Sequence, residues 1–331
     1  MLECSIGIFI VLLLVLGAEF VNGWTDAPNA MATVVSTRVL SPIQAVIMVS
    51  ILNAVGAAIS GTAVAFTIGK GIVNPEVINI HTIAAAMVGI ILWSTIAWYW
   101  GLPTSETHAL VAGLAGAALA TAGPSVLLWE GWRKVLIGLG FSTFLGFGGG
   151  VLIMTLLYWG LRRKSPTFVR NTFGRLQILS AAFMAFGHGS NDGQKFMGVF
   201  SLVLVLGGIM PEFHIPLWVI LCCASVMFLG TICGGWRIVK TIGLRLTKLE
   251  PVHGFAAETA AALSIQLASA WGIPLSTTHT IGTSIMGVGA TKRFSATRWG
   301  VGREIVTAWI LTFPVCGLCG WICAKILNLV F

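Results

Sequence analysis

The sequence predicts an all-α, polytopic membrane protein built from two related halves, on three observations: its composition, its recurring apolar runs and an internal repeat. Of 331 residues, 56% are hydrophobic and only 9% are charged, whereas soluble globular domains carry roughly 25% charged residues. Too little polar surface remains to face water on all sides. Apolar runs approaching the roughly 20 residues that cross a hydrocarbon core as a helix lie at 6–21, 43–61, 83–100, 151–161, 217–230 and 301–329. With broken segments counted between them, the length criterion predicts about 10–12 transmembrane or half-membrane helices.

The first run carries Glu3 and no Lys or Arg ahead of its apolar stretch. A cleaved signal begins with a positive segment, so this run is expected to be a mature transmembrane helix. The net charge of +8 raises nucleic acid as a partner, but the basic residues form short clusters between apolar runs rather than a basic stripe or domain. They read instead as topology signals. Arg162, Arg163, Lys164, Arg170 and Arg175 place the central segment in the cytoplasm by the positive-inside rule. Lys240, Arg245 and Lys248, then Lys292, Arg293, Arg298 and Arg303, mark two further cytoplasmic edges. The expected setting is the plasma membrane, crossed several times, with the lipid bilayer as partner and the N-terminus outside.

Two classes are disfavoured at this point. Cys316, Cys319 and Cys323 have helical spacing, but beside Gly317 and Gly320 they read as small packing residues rather than metal ligands. Gly69-Lys-Gly71 lacks the hydroxyl and preceding spacing of a nucleotide-binding loop, which excludes a nucleotide-driven pump.

The repeat is explicit. Trp100-Gly-Leu-Pro-Thr-Ser-Glu-Thr-His108 aligns with Trp271-Gly-Ile-Pro-Leu-Ser-Thr-Thr-His279, six of nine positions being identical. A looser pair, Phe20-Val-Asn-Gly-Trp-Thr-Asp26 and Phe186-Gly-His-Gly-Ser-Asn-Asp192, occurs in the same order at nearly the same separation. The predicted organisation is a first repeat at 1–160, a basic cytoplasmic connecting loop at 161–177 and a second repeat at 178–331. Such duplication is a mark of secondary transporters. Each motif interrupts an apolar run with Gly, Pro or polar residues, so four helix breaks are expected. Broken backbone survives at membrane depth only when buried in protein or lining a wet cavity, which points to one internal site.

The motif residues indicate what that site handles. After Pro103, Thr104 and Ser105 are helix-capping types ahead of a small-residue helix, and Ser276, Thr277 and Thr278 follow Pro274 in the same way. A half-helix start presents unpartnered amides and the positive end of the helix dipole, which suits a tetrahedral oxyanion. Asp26 and Asp192 need another partner. A carboxylate at membrane depth costs about 2.5–3.5 kcal/mol and would repel the anion, so the expected ligand is a coupling cation, sodium or a proton, with sodium the metal candidate at both. Asn29 and Asn191 offer oxygen to a cation or an amide to the anion. Lys195, three residues after Asp192, either neutralises that carboxylate or meets the anion. Glu19, Glu106 and Glu258 also lie in apolar stretches, with Glu106 and Glu258 as further coupling-ion candidates. His108 and His279 close the motifs as packed residues or proton carriers. The small-residue runs 113–122, 146–150 and 282–290 read as close helix packing.

These residues resemble a known family. Gly23-Trp-Thr-Asp-Ala-Pro-Asn-Ala-Met-Ala-Thr-Val-Val-Ser-Thr-Arg38 and Gly189-Ser-Asn-Asp-Gly-Gln-Lys-Phe-Met-Gly198 are similar to the paired signatures of the inorganic phosphate transporter (PiT) family, and the Pro-x-Ser-x-Thr-His motifs fit as well. The resemblance spans essentially the whole chain. It implies an inverted-repeat fold with re-entrant broken helices, a homodimer, and symport of inorganic phosphate with sodium or protons and no other cofactor. It implies that Asp26, Asn29, Asn191 and Asp192 are the signature polar residues and that Thr104, Ser105, Thr107, Ser276, Thr277 and Thr278 line the anion site.

Three positions depart from the family pattern. Trp24 and Thr25 stand where a small residue and Asn are frequent, Lys195 replaces an Asn, and Glu106 replaces a hydroxyl. Sulfate or another tetrahedral oxyanion is the alternative substrate. An anion channel and an intramembrane Asp-based enzyme are the alternative classes, with the enzyme disfavoured.

Overall fold

The computed structural model describes residues 2–330 and is helical throughout apart from short connections. The described residues form thirteen helices. The chain opens with α1 (Leu2–Thr25) and α2 (Pro28–Ser36), separated only by Asp26 and Ala27. Pro28 causes this break, because it has no amide to donate and its ring clashes with the preceding turn. Next come α3 (Pro42–Ile59), opened by a reciprocal Ser41/Gln44 cap, and the short α4 (Ala63–Gly71). The first hairpin is α5 (Ile80–Tyr99) and α6 (Glu106–Ala122), followed by the long α7 (Trp129–Leu161).

The second run of elements follows the same order. It comprises α8 (Pro166–Leu206), α9 (Leu217–Ile232) and α10 (Trp236–Lys240), which continues into a π-helical turn over Thr241–Arg245. The second hairpin is α11 (Pro251–Ala270) and α12 (Thr277–Lys292), and α13 (Trp299–Val330) ends the chain. Both hairpin tips begin at Trp-Gly, with Gly101 and Gly272 at φ +70° and +64°. A side chain would strain this left-handed backbone.

Five spans are long and apolar enough to cross a membrane: Ile6–Ser36, Pro42–Ile59, Ile80–Tyr99, Trp129–Leu161 and Trp299–Leu329. A sixth is the pair Leu217–Ile232 and Trp236–Arg245, bent by 61°. The remaining helices are short or carry the polar motifs.

The structure differs from the expectation of four breaks. The hairpin tips and Asp26-Ala27 are interrupted, but α8 runs unbroken through His188, Asn191 and Asp192. The second copy has Gly193-Gln194 where the first has Ala27-Pro28, and Gln194 instead bonds along the helix, its Nε2 donating to the Ser190 carbonyl at 2.6 Å. The connection between the halves is also shorter than 161–177. Residues 162–165 lie between α7 and α8, and Ser165 caps α8 so that Arg170 and Arg175 lie on its first turns.

Packing is reciprocal between the two runs. The hairpin helix α6 lies on α13 and α12 lies on α7, while α1 packs on α9 and α3 on α8. Small residues set these approaches. A Cβ on Gly116 would overlap the Gly317 carbonyl, and one on Gly150 would overlap that of Ser284. His279 stacks on Trp309 of α13 at 3.7 Å between ring centroids, and His108 sits edge-on to His279 and beside Phe313. Both histidines are therefore packed aromatics at the hairpin–α13 contact.

Part of the central basic cluster meets Lys292 on one face. Arg162, Lys164, Arg170, Glu250, His253 and Lys292 line one cavity of about 640 Å³, where segments distant in sequence meet on one face. Arg245 pairs with Glu304 at 3.1 Å on the exposed surface.

Gly116→Ala should lower stability by about 1–3 kcal/mol, the range for overpacking a close-packed interior. Gly140→Ala, at a position with nothing within 4 Å of an added Cβ, should leave it unchanged or slightly raised. Thermal unfolding of the two purified variants in detergent reads the contrast.

Candidate functional site

The site forms where the Asp26 break, the middle of α8 and both hairpin tips meet. The caps are built as the sequence predicts. Ser105 Oγ accepts from the His108 amide at 3.4 Å and Ser276 Oγ from the His279 amide at 3.2 Å. These bonds fix the first turns of α6 and α12. The amides of Glu106, Thr107, Thr277 and Thr278, in those first turns, have no intrahelical partner by helix geometry. Ser142 of α7 holds the second tip from outside, accepting from the Ser276 amide at 3.1 Å.

Asp26 and Asp192 are both buried, and the Thr277 hydroxyl lies between them, 3.4 Å from Asp26 Oδ2 and 3.3 Å from Asp192 Oδ2. The Thr278 hydroxyl donates to Asp26 Oδ1 and lies 3.0 Å from the Thr104 carbonyl. Asn29 Nδ2 reaches Asp26 Oδ1 and, at 2.8 Å, Thr278 Oγ1.

On the other side the fully buried Lys195 places Nζ 2.5 Å from Asp192 Oδ1, 2.5 Å from Thr107 Oγ1 and 3.1 Å from the Leu275 carbonyl. Thr107 itself donates to that carbonyl at 2.9 Å. His188, one helical turn before Asp192, brings Nε2 to 3.7 Å from Asp192 Oδ2. Asp26, His188 and Asp192 each offer a ligand atom within 4.8 Å of the others, a spacing that suits a shared cation.

Not every predicted residue joins this centre. Asn191 turns to the second hairpin, donating to Ser269 Oγ at 2.8 Å and accepting from the Leu275 amide at 3.3 Å, so it positions the broken tip. Glu106 accepts from Thr25 and Ser94, both at 2.9 Å. Glu258 forms a separate buried cluster, accepting from Thr33 at 2.5 Å, Gln177 at 3.1 Å and Ser180. Glu19 accepts from Asn22 at 2.9 Å. Trp24 contacts Trp98 at 4.2 Å between ring centroids, with Arg237 over the face of Trp98.

Sequence reasoning missed His188, although it stands four residues before Asp192 and so on the same helix face. It also missed the partners of Glu106 and Glu258. Ser94, Ser180 and Gln177 lie outside every motif and become visible only once the helices pack.

The sequence of residues 22–320 matches the phosphate transporter family. A probable low-affinity inorganic phosphate transporter of Rhizobium meliloti is 42% identical over 94% of this chain and 94% of its own length. One of the same description from Bacillus subtilis is 37% identical over 97% of each chain. Among solved structures, one described as the sodium-dependent phosphate transporter superposes with a TM-score of 0.90 at 24% identity, covering 98% of this chain and all of the other. That likeness establishes the shared fold. Family and fold are those of transporters rather than enzymes, and in bacteria such a multi-pass protein resides in the cell membrane. By its match over most of its length and by relatives above one-third identity, the chain belongs to the phosphate transporter family.

Proposed function

We propose that this protein is a secondary active transporter that moves inorganic phosphate together with a coupling cation. One observation carries the reading: the start of the α12 half-helix meets a buried pair of carboxylates through the Thr277 and Thr278 hydroxyls, and the start of the α6 half-helix, from the other half of the sequence, reaches the same centre through Thr107 on Lys195. The amides and hydroxyls of Thr104, Ser105, Thr107, Ser276, Thr277 and Thr278 supply donors for an oxyanion. Asp26 and Asp192 supply oxygens for the cation, Asn29 bonds Asp26, and Asn191 holds the second hairpin tip. If the halves are inverted, as in many transporter repeats, the tips approach the midplane from opposite sides.

Coupling has a physical basis in this arrangement. Thr278 donates to Asp26 and is also on the anion-binding turn. A cation on Asp26 releases that hydroxyl to the anion and removes the negative charge that would repel it. Each ligand then raises affinity for the other by the same factor, as linkage requires. Glu106 and Glu258, each ringed by hydroxyl or amide donors, are secondary positions for a coupling ion. Relatives described as inorganic phosphate transporters favour phosphate over sulfate. The description of the structural neighbour as sodium-dependent makes sodium the first cation to test. A homodimer in the bilayer is the assembly proposed.

Labelled phosphate uptake into proteoliposomes, under a sodium or a proton gradient imposed separately, tests the reading. Phosphate should accumulate against its own gradient with one of the two and resist competition by excess sulfate. Downhill flux alone identifies a channel, and accumulated sulfate identifies the other oxyanion.

Asp26→Asn should abolish accumulation while leaving a folded, monodisperse protein. Thr278→Val should weaken phosphate uptake at least about tenfold, equivalent to one charge-assisted hydrogen bond of about 1.5–3 kcal/mol. Initial rates at varied phosphate concentration measure both effects.

A further inference from the structure

The two carboxylate sites share one core arrangement, in which the nitrogen side chain three residues after the carboxylate differs; His188 stands beside Asp192 in addition. In the first, Asp26 is followed three residues later by Asn29, and both meet Thr278, whose hydroxyl donates to Asp26 and lies 3.0 Å from the Thr104 carbonyl. In the second, Asp192 is followed three residues later by Lys195. Lys195 bonds both Asp192 and Thr107, whose hydroxyl donates to the Leu275 carbonyl at 2.9 Å. Thr278 and Thr107 occupy the same place in the repeated Pro-x-Ser-x-Thr-His motif, as do Thr104 and Leu275. The oxygens therefore match one for one: a carboxylate, a threonine hydroxyl and a backbone carbonyl. Only the nitrogen side chain changes, from a neutral amide to an ammonium.

Such a set of oxygens is what a hard monovalent cation takes as ligands. In the second site Lys195 Nζ lies on all three, at 2.5, 2.5 and 3.1 Å, with its side chain wholly buried. A mobile cation there would have to displace a charge that is covalently held and already paired. In the first site, Asn29 brings no charge, so Asp26 has no tethered cation among its contacts.

Building on the cation-coupled reading above, we infer that the Lys195 ammonium is a tethered replacement for one coupling cation, so that exchangeable cation binding is confined to the Asp26 side. Lys195 is then the residue that sets how many cations travel with each phosphate. The consequence is thermodynamic, because each coupled ion multiplies the attainable accumulation by its own concentration ratio. A chain with one ion tethered concentrates its substrate less steeply and spends less of the ion gradient per cycle.

Lys195→Asn gives the second site the Asp-x-x-Asn pairing of the first and tests the assignment. In proteoliposomes, phosphate uptake by the variant should depend on the driving cation with an order one higher than in the native protein. Its reversal potential should report one more positive charge per phosphate. Under a tenfold cation gradient its limiting accumulation should rise by about tenfold.

Equal, non-zero orders in native and variant proteins overturn the role of Lys195 and leave coupled transport standing. Absence of cation dependence in both overturns coupled transport and this assignment together. If Lys195→Asn does not yield a monodisperse protein, the native protein alone decides: an order of one in the driving cation supports the assignment, and an order of two overturns it.

Discussion

The structure depends on keeping two carboxylates inside an apolar protein. Removing an ion from water costs several kcal/mol even after relaxation, unless hydrogen bonds and opposite charge compensate. Around Asp26 and Asp192 that compensation comes from Thr277, Thr278, Asn29 and Lys195. These groups reside on helices that must end or begin at the site. The hairpin tips are broken because their hydroxyls and first amides are needed there, and the breaks endure because they are enclosed by protein. Asn191, Ser142 and the Ser105 and Ser276 caps satisfy the exposed backbone that such breaks create.

Enclosure in turn sets the packing. α6 and α12 are built from Gly, Ala, Ser and Thr, so neighbouring backbones approach closely enough to shut out lipid. The large aromatic partners are supplied from outside, Trp309 and Phe313 of α13 closing over His279 and His108. Polar hairpin tips and small-residue flanks are thus two aspects of one requirement: a polar site without water-filled walls.

Much of this was legible in the sequence because the repeat marks itself. Pro103 and Pro274 announced the broken tips, Ser105 and Ser276 announced the caps, and the glycine runs announced close packing. The break expected near Asp192 was read from its glycines and polar residues, with no proline. Without a proline, a polar segment continues as helix when its side chains find partners, as Gln194 does at the Ser190 carbonyl and the Val64 amide. The surroundings of Glu106 and Glu258 were not legible for another reason. Beyond Thr25 and Thr33, their partners Ser94, Gln177 and Ser180 come from unmarked helices, where a single Ser or Gln among apolar residues carries no local signal. Lys195 was visible as a departure from the family pattern, but its position over Thr107 and the Leu275 carbonyl depends on contact between the halves.

The reciprocal packing of α6 on α13 and of α12 on α7 governs how the chain is made. During synthesis, the first hairpin leaves the ribosome long before the helix that covers it. Its Gly113 side rests on α5, but its Gly116 side is covered only by Gly317 of the last helix. The first half therefore waits as an incomplete insertion intermediate, and the C-terminal helix acts as the latch that completes it. A chain that stops within that helix leaves the α6 surface facing Gly317 uncovered, even though every residue of both hairpin tips has already been translated.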